Sequence, residues 1–66
     1  VGGLSPRELQ ACELMGRGLV TSVSAKQMEV SPKTVETYRA RIKHKLGVMT
    51  YTELIQRATT WVLDRR

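Results

Sequence analysis

Basic side chains are concentrated in one segment of this 66-residue chain, between Lys33 and Leu46. The segment holds five lysines and arginines but only one acid, Glu36, so it carries a formal charge of +4 against +5 for the whole chain. Because clustered cations attract a polyanion, the candidate partners are a nucleic acid and an anionic membrane surface. The five cations are Lys33, Arg39, Arg41, Lys43 and Lys45.

The same segment has the pattern of an amphipathic helix. Ser31 is a favourable N-cap, Pro32 fits the first helical position, and Gly47 is a suitable stop. At about 100° per residue the segment has one apolar side, which is flanked by Tyr38 and Arg39 and is expected to face the core. That side consists of Val35, Ile42 and Leu46. We therefore predict a helix over residues 32–46.

The opposite side of this predicted helix has no large apolar residue and is expected to face outward. It forms a strip roughly 16 Å long at 1.5 Å per residue. A carboxylate such as Glu36 can accept a hydrogen bond from cytosine N4, and the methyl groups of Thr37 and Ala40 can contact a thymine methyl. The strip consists of Lys33, Glu36, Thr37, Ala40, Arg41 and His44.

The first helix is predicted from about Pro6 to Gly16. Ser5 as N-cap and Glu8 three residues later form a capping box, and Pro6 fits the first helical position. For Arg39, which lies at the edge of the core-facing side of the basic helix, an ion pair with Glu8 competes with a contact to phosphate, and the pair with Glu8 is favoured.

A short second helix is expected to end near Met28, with Thr21 or Ser22 as its N-cap. Only Glu29 and Val30 then separate it from the basic helix, and so short a turn makes the two helices cross at a steep angle. This arrangement is the helix-turn-helix, in which the second of the two helices enters the major groove.

A fourth helix is predicted after the connector 47–51, from a cap at Thr52 to about Leu63. One of its faces is apolar and should join the core, namely Leu54, Ala58, Trp61 and Val62. Beside that face runs a second apolar edge, which predicts a weak contact between two copies of the domain. The edge consists of Ile55, Thr59 and Leu63.

Size and composition favour a binding module over an enzyme. A chain this short buries about 60% of its unfolded surface and has little room for an enclosed catalytic cavity. Its single histidine, His44, and single cysteine, Cys12, supply no acid–base, nucleophilic or metal-binding set. No catalytic residue, metal or cofactor is therefore expected, and Cys12 is interpreted as a small core residue. Neither a membrane span nor a signal peptide is predicted.

Several motifs keep the order and spacing of a known family. They are Leu4-Ser5-Pro6-Arg7-Glu8-Leu9, Gly16-Arg17-Gly18-Leu19, Ala25-Lys26-Gln27-Met28, Ser31-Pro32-Lys33-Thr34-Val35-Glu36-Thr37-Tyr38-Arg39 and Lys45-Leu46-Gly47-Val48. Through these motifs the chain resembles the LuxR-type (FixJ/NarL) DNA-binding domain over residues 4–58. The resemblance implies an all-α, four-helix domain over residues 4–66, in which helices two and three form the helix-turn-helix and helix four supplies a dimer contact. Residues 1–3 are then a linker remnant.

The resemblance also implies roles for individual residues. Base-facing positions are Glu36, Thr37 and Ala40, which the helical pattern selects independently. Positions expected to contact the DNA backbone are Lys33, Thr34, Tyr38, Arg41, Lys43 and Lys45. His44 is added to them from its place on the outer face of the helix, as a solvated side chain or one near a phosphate. In two places the chain departs from the family pattern: Ser24 stands where Ile or Leu is usual, and Glu29 where Gly is frequent. We therefore expect a shifted or looser second helix, and a left-handed backbone at Glu29 at some energetic cost.

These features predict sequence-specific duplex DNA binding by the output domain of a bacterial transcription regulator of the response-regulator type. The expected location is the cytoplasm, at the nucleoid. Expected partners are double-stranded DNA, an upstream receiver or sensor domain, a second copy of the chain on DNA, and RNA polymerase. Two alternatives stay open: a sigma-factor region 4-like module, and a basic helical domain that binds an acidic protein. Membrane-surface binding is less favoured, because the apolar residues are needed for the core.

Overall fold

Four helices make up the part of the chain that the computed structural model describes, residues 3–64. In chain order they are α1 (Pro6–Gly16), α2 (Thr21–Met28), α3 (Pro32–Leu46) and α4 (Tyr51–Asp64). The predicted all-α, four-helix fold is confirmed. Val1 and Gly2, which belong to the predicted linker, lie outside the described residues, as do Arg65 and Arg66.

The start of α1 is the predicted capping box. Ser5 Oγ accepts a hydrogen bond from the Glu8 N–H at 3.2 Å, and Glu8 Oε1 accepts one from the Ser5 N–H at 2.9 Å. At its other end α1 crosses α4 at close range. A Cβ atom added to Gly16 would lie 2.5 Å from the carbonyl oxygen of Ala58, so only a glycine allows the two backbones to approach this closely.

The predicted caps of α2, Thr21 and Ser22, were wrong. The N-cap is Val20, which has extended backbone angles and provides no side-chain hydrogen bond. The helix begins one residue earlier than a Thr21 cap would allow, since its inward residues must reach the core directly after Leu19, which packs against that core. Those inward residues are Ser24, Ala25 and Met28.

Ser24 occupies the buried position of α2 where the family pattern has a larger apolar residue. It is 1% exposed, whereas the neighbouring Val23 is 38% exposed. The expected shift of the helix by one residue is therefore not observed. The Ser24 hydroxyl has no hydrogen-bond partner among the described residues. The departure from the family pattern is therefore accommodated by burial of an unsatisfied hydroxyl group.

The turn between α2 and α3 depends on a left-handed residue, as predicted. Glu29 has φ 59° and ψ 42°, and its N–H donates to the Lys26 carbonyl at 3.2 Å. The Val30 N–H donates to the Ala25 carbonyl at 3.0 Å, which completes the helix end. Arg7 of α1 donates from Nη2 to the Met28 carbonyl at 3.2 Å and so connects the first helix to this turn.

The core lies where all four helices meet. Its largest fully buried side chains include Met15, Val35, Ile42 and Leu54, with Cys12 at 0% exposure, as predicted for a core residue. Burial raises the pKa of the Cys12 thiol, which keeps this group protonated and unreactive. Among the described residues no helix is long and apolar enough to span a bilayer.

The predicted cap of α4, Thr52, was also wrong. The Glu53 N–H donates to Thr50 Oγ1 at 3.1 Å, and the Leu54 N–H donates to the Thr50 carbonyl at 3.1 Å, so Thr50 holds the cap position. Leu54 and Ala58 are buried on the predicted core face, and Trp61 packs partly against it.

Candidate nucleic-acid interface

Helix α3 has the predicted ends. Ser31 Oγ accepts from the Thr34 N–H at 3.2 Å, and Pro32 occupies the first position. At the other end Gly47 adopts a left-handed conformation with φ 70°, and its N–H donates to the His44 carbonyl at 3.2 Å. Both ends are thus fixed by local hydrogen bonds that the sequence specifies.

The outward strip of α3 is confirmed. On the inner side Val35 is 1% and Ile42 is 0% exposed, which fixes the rotation of the helix about its axis. All six residues of the strip are exposed: Lys33, Glu36, Thr37, Ala40, Arg41 and His44. The three predicted base-facing residues therefore lie together on one accessible surface without a large side chain between them.

Thr37 has a particular orientation within the strip. Its hydroxyl donates to the Lys33 carbonyl at 3.2 Å, a common arrangement for threonine inside a helix. Because the hydroxyl is engaged by its own helix, the methyl group is the part of the side chain left for a partner. This geometry suits contact with the methyl group of a thymine.

Two of the predicted phosphate-contacting residues are partly occupied by the protein itself. The Thr34 N–H is bonded to Ser31 Oγ, and the two hydroxyl oxygens are 3.0 Å apart, so this N–H is not free for a phosphate. Tyr38 is half-buried and packs against the core. Contacts to phosphate from these residues would have to come from the hydroxyl groups of Thr34 and Tyr38.

Lys45 takes the place that was predicted for Arg39. Lys45 Nζ lies 2.7 Å from Glu8 Oε1 and 3.3 Å from the Gly3 carbonyl, so the predicted Arg39–Glu8 pair was wrong. Six residues along a helix amount to a rotation of about 120°, so Lys45 and Arg39 point to different neighbours. The hydrogen bond from Lys45, with that from the Ser5 N–H, lowers the pKa of the Glu8 carboxyl.

Arg39 instead packs on the first residue of α4. Its guanidinium carbon lies 4.9 Å from the centre of the Tyr51 ring, within the range of a cation–π contact. Arg39 Nε is buried and has no hydrogen-bond partner among the described residues. Tyr51 is 47% exposed, so this pair lies at the surface beside the outward strip.

The comparison with known families settles the class of the domain. The sequence profile of the family described as bacterial regulatory proteins, luxR family, matches residues 3–58. The chain belongs to the LuxR family. It is thus a helix-turn-helix DNA-binding domain, with α2 and α3 as its helix pair, and the sigma-factor alternative is not favoured.

Relatives of this LuxR-family domain are bacterial regulators. It is 38% identical over 58 residues to the transcriptional regulatory protein FixJ of Bradyrhizobium diazoefficiens, with 88% of this chain and 28% of the relative covered. It is 39% identical over 54 residues to UhpA of Escherichia coli, with 82% and 28% covered. The transcriptional activator ExaE of Pseudomonas putida is 36% identical over 56 residues, with 85% and 26% covered. The chain thus spans about a quarter of these relatives' length. No solved structure gives a significant match.

Two residues that help to position the LuxR-family helix pair were missed by the sequence analysis. Arg7 bonds the end of α2, but its partner lies 21 residues away and no local pattern could identify it. Tyr51 holds Arg39 from across the connector. An aromatic residue at the end of the predicted connector, next to a helix rich in arginine and lysine, was the available signal for that contact.

Proposed function

We propose that this domain is the output domain of a bacterial two-component response regulator, in the cytoplasm at the nucleoid. Its helix α3 then reads the sequence of duplex DNA in the major groove. The observation that carries this proposal is the exposed strip of α3, in which small and acidic side chains stand between cations. A helix about 10–12 Å across fits a major groove about 12 Å wide.

Three residues are proposed to read bases. Glu36 accepts from an exocyclic amine such as cytosine N4, because an ionised carboxylate is an acceptor only. Thr37 presents its methyl group, since its hydroxyl is bonded to the Lys33 carbonyl. Ala40 is small enough to let the helix approach closely and can contact a thymine methyl.

Phosphate contacts are proposed on both sides of these residues. Four basic side chains of α3 form no ion pair among the described residues. They are the exposed Lys33, Arg41 and His44 and the half-buried Lys43. Thr34 and Tyr38 would add hydrogen bonds from their hydroxyls. Lys45 is proposed to contribute less than expected, because its amino group is already bonded to Glu8. These contacts fix the position of α3 and carry no sequence information.

The wider context is inferred from the relatives. Those named above are transcriptional regulatory proteins of about three times this length, which supports an upstream receiver or sensor domain that controls this one. RNA polymerase is a proposed partner on the same grounds. We also propose that two copies meet on DNA through the α4 edge formed by Ile55, Thr59 and Leu63. No catalytic step is assigned to the domain.

A salt titration with labelled duplex tests the proposal. We expect binding at low salt, with each neutralised phosphate adding about 0.9 to the slope of log affinity against log salt concentration. Arg41→Ala should lower that slope by about 0.9, and the matched control Arg57→Ala, an exposed cation on α4, should not. Failure to bind any duplex at low salt, together with binding to anionic vesicles or an acidic protein, would contradict the proposal.

A further inference from the structure

We infer that Arg39, Lys43 and Tyr51 form a phosphate-binding cleft, which holds one phosphodiester of the DNA backbone between α3 and α4. The inference rests on the proposed function, since it assumes that α3 lies in the major groove. It returns Arg39 to the phosphate contact that was the alternative to the Arg39–Glu8 ion pair, and it gives Tyr51 a part in that contact.

The phosphate-binding cleft adjoins the outward strip of α3. A depression of about 270 Å³ lies between α3 and the start of α4. It is lined by Glu36, Arg39, Ala40, Lys43, Tyr51 and Leu54. Because Glu36 and Ala40 belong to both surfaces, a duplex seated on the strip must bring its backbone to the mouth of this cleft.

Within the described part of the chain, Arg39 is a cation without a counter-ion. Among residues 3–64 no carboxylate oxygen lies within 4.0 Å of its guanidinium, and Nε has no hydrogen-bond partner. The Tyr51 ring nevertheless holds the guanidinium in place at 4.9 Å. A planar guanidinium that is fixed by stacking and not neutralised can bind a phosphate with two parallel hydrogen bonds.

The helical positions of the cations match the two strands of a duplex. At about 100° per residue, Arg39 and Lys43 lie within about 40° of each other on one side of the strip. Thr34 and Arg41 lie within about 20° of each other on the other side. Since a helix nearly fills the groove, side chains on its two flanks meet the phosphates of opposite strands. The α4 side would lack a fixed cation without the Arg39–Tyr51 pair.

The acid in the cleft does not cancel its charge. Glu36 is the only carboxylate in the lining, against two cations, Arg39 and Lys43, so the lining is net positive. Glu36 lies on the side shared with the strip, where its proposed partner is a base. The phosphate is therefore expected deeper along the α4 side, next to Tyr51.

Substitutions that separate charge from stacking test the inference. Arg39→Met keeps most of the stem and removes the charge; we expect about tenfold weaker binding to all duplexes alike and a salt slope lower by about 0.9. Tyr51→Leu removes the ring and should give a similar loss of affinity. Tyr51→Phe keeps the ring and should retain most of the affinity, and Arg57→Met is the control for loss of a cation on α4.

A neutral-phosphate scan locates the contact. Single methylphosphonate substitutions along a bound site should reveal a phosphate whose neutralisation weakens the native domain but has no further effect on Arg39→Met. If the native domain binds no duplex, the proposed function itself fails. If it binds and folded Arg39→Met, checked by circular dichroism, keeps the native affinity and slope, only this inference is overturned. Should Arg39→Met unfold, the same scan is made with Tyr51→Leu. The inference is overturned if every neutral phosphate weakens Tyr51→Leu as much as it weakens the native domain.

Discussion

At the scale of single residues, the pair between Lys45 and Glu8 connects the end of α3 to the start of α1. Glu8 is 2% exposed and its pKa lies below the ordinary value of 4.5. The folded state therefore binds fewer protons than the unfolded state in the pH range between the two values. The stabilisation is present above about pH 4.5 and is lost as the pH falls through the folded-state pKa.

This sign predicts an acid-sensitive stability that depends on Glu8. Glu8→Gln keeps the capping hydrogen bonds but removes the charge, so its stability should fall less steeply between pH 5 and pH 2, roughly the range of a carboxyl titration. Lys45→Met should lose more stability at neutral pH than Glu8→Gln, because it leaves a buried carboxylate without its partner. Urea unfolding at several pH values measures both effects. If the free energy of unfolding depends on pH in the same way for the native domain and Glu8→Gln, the Lys45–Glu8 pair does not contribute to stability.

Ser24 predicts a gain in stability. Its hydroxyl is buried without a hydrogen-bond partner among the described residues, and such a group costs about 1–3 kcal/mol. Ser24→Ala should raise the free energy of unfolding by about 1 kcal/mol, measured with urea. Ser22→Ala, an exposed position of the same helix, is the matched control for helix propensity. Equal gains in the two variants would mean that the Ser24 hydroxyl finds a partner in solution.

At the scale of the helices, the sequence predicted what local chemistry determines. The Ser-Pro starts of α1 and α3 and the glycine end of α3 were correct, because each depends on residues within about one turn. The caps of α2 and α4 were each misplaced, at Thr21 and Thr52. The caps are Val20 and Thr50 instead, because the packing of each helix against the core sets where it begins, even where a hydroxyl residue stands close by.

Contacts across the fold were the least predictable part of the candidate site. The exposed strip of α3 followed from helical periodicity alone, and the structure confirms its exposure. Glu8 was expected to bind Arg39 but binds Lys45, because the choice depends on how α1 is placed against α3. The placement of Arg39 on Tyr51 follows from the same packing and could not be derived from spacing.

The crossing of α1 and α4 predicts the effect of adding a methyl group. In Gly16→Ala the new Cβ would lie 2.5 Å from the Ala58 carbonyl oxygen and 2.6 Å from Val62 Cγ2. We expect a loss of about 1–3 kcal/mol in unfolding free energy, typical of an overpacked contact. At Gly18 nothing lies within 4 Å, so Gly18→Ala should cost only the left-handed strain, about 1–2 kcal/mol. A Gly16→Ala variant as stable as the native domain would contradict the close crossing.

At the scale of the whole molecule, the edge of α4 predicts association on DNA. Ile55 packs against the domain's own core, Thr59 is half-buried and Leu63 is 57% exposed, so the edge is narrower than the sequence indicated. It falls well below the roughly 1,000 Å² of a stable interface, and the isolated domain should be monomeric. Two half-sites about 34–36 Å apart should nevertheless be bound cooperatively.

Substitution on this edge tests the prediction. Thr59→Asp should abolish cooperativity on two half-sites and leave the affinity for one half-site unchanged. Thr60→Asp, which adds the same charge at the adjacent exposed position, is the control. Unchanged cooperativity in Thr59→Asp would exclude this edge as the contact between copies.

The central claim is that Glu36, Thr37 and Ala40 of α3 read bases while the cations around them hold phosphates. Affinities for a library of duplexes, measured for the native domain, Glu36→Ala and Arg41→Ala, test it most directly. Glu36→Ala should change discrimination at one base pair by about 1–3 kcal/mol, whereas Arg41→Ala should weaken all sequences by the same factor. If both variants lose affinity uniformly across the library, α3 does not read the sequence in the proposed orientation.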